Sequence, residues 1–279
     1  MVRPALFVLL ACIAACTPDL RPTRLQEKGV TDDSQAKARE WLDKMVAAHG
    51  GRDAWAAKGD FEIELTDEWP SFLPRTAAMP WPESGQRMRI AKKIGKEDIR
   101  LTFIGGDHDG EVWGIQNWAT WTQKPGGQPV FDEDDDIKFW LPTVAYFFEM
   151  PIRIAEAGII SYEGEETING RKYAVVFCTW GTAEPQDAID QYLVYIDTET
   201  HRLGWSYFTV RDLTLASSGT MRFADVRDEH GIPVVHEMTL TDGLGDDGIV
   251  HQMVVKSVKW GAGHPDDYYV PDPSRSGNK

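Results

Sequence analysis

The chain has 279 residues, with 44 acidic against 29 basic side chains and a formal net charge of −15 at pH 7. Such a surface repels nucleic acids and anionic lipid head groups, so we expect no nucleic acid partner. The length allows one large domain. Two of the three cysteines, Cys12 and Cys16, lie within the first sixteen residues, and only Cys178 lies beyond them. We therefore expect no disulfide framework, and we expect Cys178 to be a small buried side chain.

Residues 1–15 predict a cleaved signal peptide. A single basic residue, Arg3, precedes an apolar run over residues 5–15 that ends in small side chains. This run is much shorter than the roughly 20 residues that a membrane-spanning helix needs. We therefore expect the segment to direct export and not to remain as a spanning anchor.

Cys16 closes the sequence Ile13-Ala14-Ala15-Cys16, which resembles the lipobox of bacterial lipoproteins. The resemblance implies that Cys16 carries diacylglycerol and that a further acyl chain completes a membrane anchor. Cys12 is a rival site with a shorter apolar run before it, and an ordinary secretory signal with an incidental cysteine is the other alternative. An Asp after the acylated cysteine favours inner-membrane retention in enterobacteria. Thr17 at that position therefore predicts the outer membrane, facing the periplasm.

The rest of the chain divides into three predicted parts. The lipidated cysteine and a polar, proline-containing flexible tether occupy residues 16–33, a β domain occupies residues 34–265, and a C-terminal tail occupies residues 266–279. Within the domain, Asp33-Ser34 is a candidate cap for a first helix, which His49-Gly50-Gly51 ends. The apolar residues at helical spacing in this helix are Ala38, Trp41, Leu42, Met45 and Val46.

After this helix the hydrophobic period changes to two, which predicts β-strands. Turn signals such as Asn169-Gly170 and His230-Gly231 separate many of them. Strands joined by short connections predict an antiparallel meander and argue against a doubly wound parallel sheet. The predicted strands are residues 61–65, 86–93, 98–104, 111–117, 120–123, 159–167, 172–180, 191–197, 203–210, 220–228, 234–241 and 251–260.

One helix is expected to interrupt the meander at about residues 136–149. Acidic residues at its start suit the positive end of the helix dipole. Pro142 either begins a second short helix or kinks a single one. The aromatic side chains are too many for one stripe of a surface helix, and they could plug the mouth of a curved sheet. They are Phe139, Trp140, Tyr146, Phe147 and Phe148.

The residues now resemble a known family. The sequence Ala47-Ala-His-Gly-Gly51 with Trp55 beyond it, followed by the first strand, is similar to the opening of uncharacterised bacterial lipoproteins of the Lol-type lipoprotein-carrier superfamily. The aromatic block at residues 139–150 and the hairpins at residues 165–173 and 195–203 fit the same picture, so the resemblance covers roughly residues 35–262. It implies a mainly β fold, an antiparallel half-open barrel or curved sheet. The resemblance further implies that the N-terminal helix and the inserted helix close the concave side over an apolar cavity.

The aromatic residues are the candidates for lining this cavity, because large rings on a concave sheet can grip an apolar ligand. The alternative is that they only fill the core of a large sheet. Rings that border an empty space would favour a ligand cavity, and rings that are packed on all sides would favour a filled core. The candidate cavity residues are Trp55, Trp113, Trp118, Trp121, Trp140, Phe147 and Phe148.

Motifs for catalysis or metal binding are absent from the sequence. Ser217-Ser218-Gly219 lacks the first glycine of a nucleophile elbow, and His236-Glu237 lacks the second histidine of a zinc helix. The acidic runs at residues 107–111 and 132–136 are interpreted as solvated turns and a helix start. We therefore expect no enzyme activity, no catalytic residue, no metal and no cofactor.

The resulting hypothesis is a membrane-anchored lipoprotein of the cell envelope that binds or handles a lipophilic molecule or the acyl chains of other lipoproteins. Its expected partners are the membrane, through the acyl anchor, a lipid or lipophilic small molecule, and an envelope protein. The alternative is a structural or sensory envelope protein that presents its sheet to a protein partner, which an exposed apolar strand edge and a filled cavity would favour. A third option is an unrecognised hydrolase, which would need a histidine or carboxylate pair beside a serine or water.

Overall fold

The computed structural model describes residues 18–214, 217–245 and 248–277. The predicted signal peptide and Cys16 lie outside these ranges. The fold is mainly β, as the sequence predicts, and every predicted strand is present. The strands are β1 (Asp60–Glu68), β2 (Gln86–Lys93), β3 (Ile99–Ile104), β4 (Val112–Gln116), β5 (Ala119–Gln123), β6 (Val130–Phe131), β7 (Ile159–Ile168), β8 (Arg171–Thr179), β9 (Tyr192–Asp197), β10 (Leu203–Thr209), β11 (Ser218–Glu229), β12 (Ile232–Thr241) and β13 (Ile249–Trp260).

All thirteen strands belong to one antiparallel sheet, in the order β6-β5-β4-β3-β2-β1-β13-β12-β11-β10-β9-β8-β7. Two meanders, β1–β6 and β7–β13, are therefore joined only where β1 pairs with β13. The outermost strands, β6 and β7, do not pair with each other, so the curved sheet stays open and is not a closed barrel. This confirms the predicted open, half-barrel architecture.

The two faces of the sheet follow from the period of two along each strand. In β1, Phe61, Ile63 and Leu65 are buried on the concave face. On the convex face, Glu64 pairs with Arg89 of the neighbouring strand, with 2.6 Å between Oε1 and Nη2. The concave face therefore carries the core, and the convex face of this first meander is charged.

Six helices lie in the described residues, and one of them, α5 (Asp135–Arg153), crosses the concave face of the sheet. It connects β6 to β7, begins at the capping residue Asp134, whose carboxylate accepts from the Ile137 amide, and is longer than the sequence predicts. Pro142 and Pro151 both lie inside this single helix, because burial of its apolar face outweighs the local cost of proline. No helix in the described ranges is long and apolar enough to span a membrane. The helices are α1 (Thr23–Lys28), α2 (Asp32–Ala48), α3 (Arg52–Lys58), α4 (Phe72–Ala77), α5 (Asp135–Arg153) and α6 (Asp266–Tyr269).

The first predicted helix corresponds to α2, with one correction at its start. The cap is Thr31 and not Asp33-Ser34: the Thr31 hydroxyl accepts from the Ser34 amide, and the Ser34 side chain accepts from the Thr31 amide. This reciprocal arrangement is a capping box, with serine in place of the usual acidic or amide residue. The helix ends as predicted, with His49 as its C-cap and Gly50 at a φ of 93°.

The described part of the predicted tether is packed on the domain, which differs from the expected flexible segment. Leu20 and Leu25 are buried, and α1 lies against β7. Arg24 forms an ion pair with the buried carboxylate of Glu163 at 2.6 Å and donates to the Ser161 hydroxyl at 2.6 Å. Residues 18–28 do not form a free linker, because Leu20 and Leu25 are buried and Arg24 is paired with Glu163.

The C-terminal tail is also docked, on the convex face of β3 and β4. Tyr269 of α6 is buried there. The Asp272 amide donates to Oε1 of Gln116 at 2.9 Å, and the Gly277 amide donates to the Asn117 carbonyl at 2.9 Å. Helix α5 on one face and this C-terminal segment on the other cover the first meander on both sides.

Candidate functional site

A cavity of about 610 Å³ lies between α5 and the concave face of the second meander. This volume falls within the roughly 300–1,000 Å³ that is usual for small-molecule sites. Its walls are mainly apolar and aromatic. Side chains that form the walls include Phe147, Tyr192, Phe208, Met221, Leu240 and Met253.

The cavity exists because α5 packs tightly on only one of the two meanders. On that side Phe148 contacts Phe61 of β1, with 4.9 Å between ring centroids. On the other side Phe147 meets Phe208 of β10 at 5.0 Å, and Tyr192 stacks on Phe208 at 6.1 Å. The aromatic side chains on this second face of α5 form one wall of the space and do not fill it.

Three of the seven predicted cavity residues line this space: Trp118, Trp140 and Phe147. Trp140 and Phe147 project from α5. Trp118 belongs to the two-residue turn between β4 and β5, where it has a φ of 64° and Asn117 a φ of 45°. Positive φ at both positions is the geometry of a tight hairpin turn, and it is uncommon for a bulky residue such as tryptophan.

The other four predicted residues are packed elsewhere. Trp55 of α3 lies between Phe148 and Trp260, at 5.8 and 5.1 Å between ring centroids. Phe148 itself faces β1. Trp113 is on the concave face but is packed against Phe103 and Trp81. Trp121 is on the convex face, as its pairing with Gly114 in the register of β4 and β5 requires.

A buried polar cluster marks one wall of the cavity. The Asp67 carboxylate accepts from Nε1 of Trp69 at 2.8 Å, from Nε1 of Trp81 at 2.6 Å and from Nδ1 of His251 at 2.8 Å. His251 stacks on Trp69 with 4.4 Å between ring centroids and lines the cavity. Because Nδ1 is held by Asp67, Nε2 is the ring nitrogen that can meet a ligand.

This cluster is absent from the sequence-based predictions, although a signal for it exists. Asp67 continues the inward alternation of Phe61, Ile63 and Leu65 in β1, so a carboxylate is predicted to point into the core. A buried carboxylate requires several hydrogen-bond donors. The two tryptophans and the histidine that supply them come from three separate segments, which the sequence alone does not bring together.

Charged residues form a second polar wall near the end of α5. Lys92 and Glu149 are both buried, with 2.6 Å between Nζ and Oε2, and Arg153 binds Glu97 at 2.9 Å. Burial raises the pKa of the Glu149 carboxyl, while the neighbouring Lys92 and Arg153 oppose this shift. Glu97 and Arg153 line the cavity. The Lys92–Glu149 pair also ties α5 to β2.

A third polar group lies where the loops after β8 and β10 meet. Burial raises the pKa of the Asp190 carboxyl, although this carboxyl accepts from the Arg211 amide at 2.9 Å and from the Thr209 hydroxyl at 2.9 Å. Burial likewise raises the pKa of the Tyr146 and Tyr192 hydroxyls. These groups place an acidic, hydrogen-bonding edge next to an apolar wall, which suits an amphipathic ligand.

The remaining titratable groups do not assemble a reaction centre in the residues that the structure describes. His236 is 3.0 Å from the Val255 carbonyl and His251 is tied to Asp67, so these two histidines have separate partners. No group of three potential metal ligands occurs in the described ranges. The free thiol of Cys178 is buried, as the sequence predicts, and burial raises its pKa well above the usual value.

No family model matches this sequence, and no curated protein matches it. Solved structures do. A protein described as an outer membrane lipoprotein-sorting domain, from Vibrio parahaemolyticus, is 13% identical with a TM-score of 0.50, over 84% of this chain and 96% of that chain. A DUF1329 family protein from Desulfovibrio piger is 12% identical with a TM-score of 0.51, over 86% of this chain and 98% of that chain.

A LolA superfamily protein from Nitrosomonas europaea is 15% identical, over 83% of this chain and 96% of that chain. Its TM-score is 0.49. At these identities the likeness concerns the fold alone. The mainly β, open curved sheet that the sequence predicts is therefore the fold that this chain shares with the lipoprotein-sorting domain.

Proposed function

We propose that this chain is a cell-envelope lipoprotein that binds the apolar part of a lipophilic molecule in the cavity between α5 and the second meander. The observation that carries the proposal is the cavity itself, about 610 Å³ of space bounded mainly by apolar side chains. A core in which the rings only filled the sheet would have left no such space. Burial of apolar ligand surface in it is favourable by about 25 cal/mol per Å².

The ligand class follows from the distribution of polar groups. Phe208, Met221 and Met253 are among the apolar side chains of the lining, whereas its polar groups His251, Arg153 and Asp190 come from three separate segments of the chain. An amphipathic lipid fits this pattern, with its chain against the aromatic walls and its polar group at one of these three places. A fully apolar ligand would leave the polar groups to water.

The anchoring part of the proposal rests on the sequence Ile13-Ala14-Ala15-Cys16. A lipid on Cys16 would hold the domain at the periplasmic face of the outer membrane. The domain is acidic, so the acyl chains and not a basic patch would supply the membrane affinity. A protein in this place meets phospholipids and the acyl chains of other lipoproteins, both of which belong to the ligand class that the cavity suits.

The cavity walls favour binding over catalysis. Their histidine is held by Asp67 and stacked on Trp69, and no hydroxyl or thiol of a described residue is hydrogen-bonded to its ring. The structural or sensory alternative would be favoured by a filled cavity and an exposed apolar edge. Instead the cavity is open, and one of the two edge strands, β7, is covered by α1 and α2.

The experiment is a binding measurement with a fluorescent fatty acid. The probe is cis-parinaric acid, titrated into the purified Cys16→Ser chain after removal of co-purifying lipid. We expect saturable binding in the micromolar range. Leu240→Trp, which places a larger ring on the cavity wall, should weaken binding at least tenfold, which corresponds to about 1.4 kcal/mol.

The matched control is Val254→Trp on the neighbouring strand. Val254 pairs with Glu237 on the convex face, so the same added ring stays outside the cavity and binding should remain within twofold of the parent chain. Thermal unfolding of both variants checks that they are folded. Absence of saturable binding, or equal binding by a folded Leu240→Trp variant, would refute cavity binding.

A further inference from the structure

The first described residues of the chain are fixed to the wall of the cavity. The Pro18 carbonyl accepts from Nη2 of Arg211 at 2.7 Å, and the Leu20 amide donates to Oε1 of Gln191 at 2.9 Å. The Arg211 amide in turn donates to Asp190, which lines the cavity. Residues 18–20 are therefore held by the β8–β9 and β10–β11 loops, which form one side of the cavity.

This attachment limits where the anchor can lie. Cys16 is two residues before Pro18, and two residues span at most about 7 Å when fully extended. Any lipid on Cys16 is therefore separated by one residue from Pro18, which Arg211 holds on the domain. A long tether would have left the orientation of the domain on the membrane free, whereas this short connection does not.

Exposed apolar side chains gather at the same end of the strands. The β10–β11 loop lies at the end of the sheet where β1 finishes, β6 begins and β13 begins. Five of the six large hydrophobic side chains that are exposed in the described residues are at this end, and the sixth is Val30 before α2. They are Phe72, Leu73, Val130, Leu213 and Ile249.

These side chains lie on separate strands and turns around one rim of the curved sheet. Phe72 and Leu73 begin α4 and are 68% and 76% exposed. The Ser71 hydroxyl donates to the Ile249 carbonyl at 3.0 Å, which fixes α4 next to the start of β13. Leu213 is 54% exposed and also lines the cavity, so the cavity reaches this rim.

We propose that this rim lies on the lipid surface into which Cys16 is anchored, so that the cavity opens towards that bilayer and exchanges its ligand with it. The inference rests on the proposed lipidation of Cys16. It goes beyond lipid binding because it gives the domain one orientation and names membrane lipid as the source of the ligand. The partner is the lipid surface itself, not a protein docked on the rim.

The charge of the rim indicates how the contact forms. Asp190, Asp212 and Leu213 line the same cavity, and the whole chain has a net charge of −15. Anionic head groups would be repelled, so zwitterionic lipids suit this surface and insertion of apolar side chains provides the attraction. Contact of this kind is insensitive to salt, unlike adsorption of a basic patch.

The experiment measures orientation in the intact lipidated protein. Leu73→Cys at the rim and Glu199→Cys in the β9–β10 turn at the opposite strand ends are each labelled with an environment-sensitive fluorophore; native Cys178 is buried. Each protein is reconstituted into phosphatidylcholine vesicles with or without nitroxide-labelled lipid. We expect the nitroxide to quench the Leu73 label at least twofold and the Glu199 label by less than a tenth. The difference should persist in 1 M salt.

Equal quenching at the two positions, or stronger quenching at Glu199, would overturn the orientation. Mass spectrometry of each preparation establishes that the acyl chains are present, so missing lipidation is detected separately. Cavity binding is measured independently with the Leu240→Trp variant. Failure of cavity binding with strong quenching at Leu73 would refute the proposed ligand exchange and leave the orientation supported. Equal quenching with intact cavity binding would overturn only the orientation.

Discussion

Nδ1 of His251 lies 2.8 Å from Oδ1 of Asp67, where the two meanders meet. Asp67 is at the end of β1 and His251 near the start of β13, and Oδ2 of the same carboxylate accepts from Trp69 and Trp81. One buried side chain therefore holds three rings that come from different segments. Two of these rings, Trp69 and His251, stack on each other beside the cavity.

The first prediction concerns the stability contributed by this carboxylate. Asp67→Asn keeps the shape of the side chain but replaces one acceptor oxygen by an amide that faces hydrogen-bond donors. A buried donor left without its partner costs about 1–3 kcal/mol, so we expect the free energy of unfolding to fall by about 3 kcal/mol. Urea unfolding of the Cys16→Ser chain at pH 7, followed by circular dichroism, measures the change.

Thr66→Val is the matched control for this substitution. Thr66 precedes Asp67 in β1 and lies on the convex face, and valine retains its branched shape and its preference for strands. Its effect should stay below about 1 kcal/mol, as for most surface substitutions away from special features. If Asp67→Asn were no more destabilising than Thr66→Val, the three hydrogen bonds would not hold this region of the core.

The strands could be predicted from the sequence because the information for them is local. Alternation of buried and exposed residues appears in each strand on its own, and glycine-containing turns separate most of them. The pairing of β1 with β13 lies beyond local patterns, because it joins segments at opposite ends of the domain. The Asp67 cluster depends on that pairing, so sequence reasoning that recovers the strands still misses the cluster.

The second prediction concerns the buried pair of Lys92 and Glu149. Lys92→Met removes the cation that lies 2.6 Å from the buried Glu149 carboxylate and leaves only Arg153, at 3.7 Å, so the free energy of unfolding at pH 7.5 should fall by about 3 kcal/mol. The double variant Lys92→Met/Glu149→Leu removes both charges and should return to within about 1 kcal/mol of the parent chain. Chemical denaturation of the three proteins tests this. A double variant less stable than the single variant would contradict it.

The same pair gives a pH dependence with a defined sign. Burial raises the pKa of Glu149, and loss of Lys92 removes a charge that opposes the shift. The folded Lys92→Met variant then binds a proton more readily than the unfolded chain does. Its stability relative to the double variant should be highest below the ordinary carboxyl pKa and should be lost as the pH rises through the raised value. A relative stability that increased with pH would show that Glu149 is not the group responsible.

The third prediction follows from the convex face, where the structure places Trp121, a sequence-based candidate for the cavity lining. Gly114 of β4 pairs with Trp121 of β5, and a Cβ atom at Gly114 would lie 2.1 Å from the indole ring. Gly114→Ala should therefore lower the free energy of unfolding by about 2–3 kcal/mol through overpacking. It should leave cis-parinaric acid binding unchanged, since this indole lies on the face opposite the cavity.

Gly243→Ala is the control for the general effect of losing a glycine, because an added Cβ there meets no atom within 4 Å. A loss of ligand binding in a folded Gly114→Ala chain would contradict the assignment of Trp121 to the convex face. Predicting this placement from sequence requires the register of β4 and β5, because a shift of one residue moves every side chain to the opposite face. Counting aromatic residues along the chain does not supply that register.

The fourth prediction tests the anchor. Cys16→Ser removes the acyl acceptor and leaves the described domain intact, so the processed chain should move from the membrane fraction to the periplasmic fraction. Ultracentrifugation after cell lysis and mass spectrometry of the N-terminus follow this change. Cys12→Ser is the matched control, since Cys12 should be removed with the signal peptide and its loss should not alter fractionation. Continued membrane association of a processed Cys16→Ser chain, or release by Cys12→Ser, would show that the membrane attachment lies elsewhere.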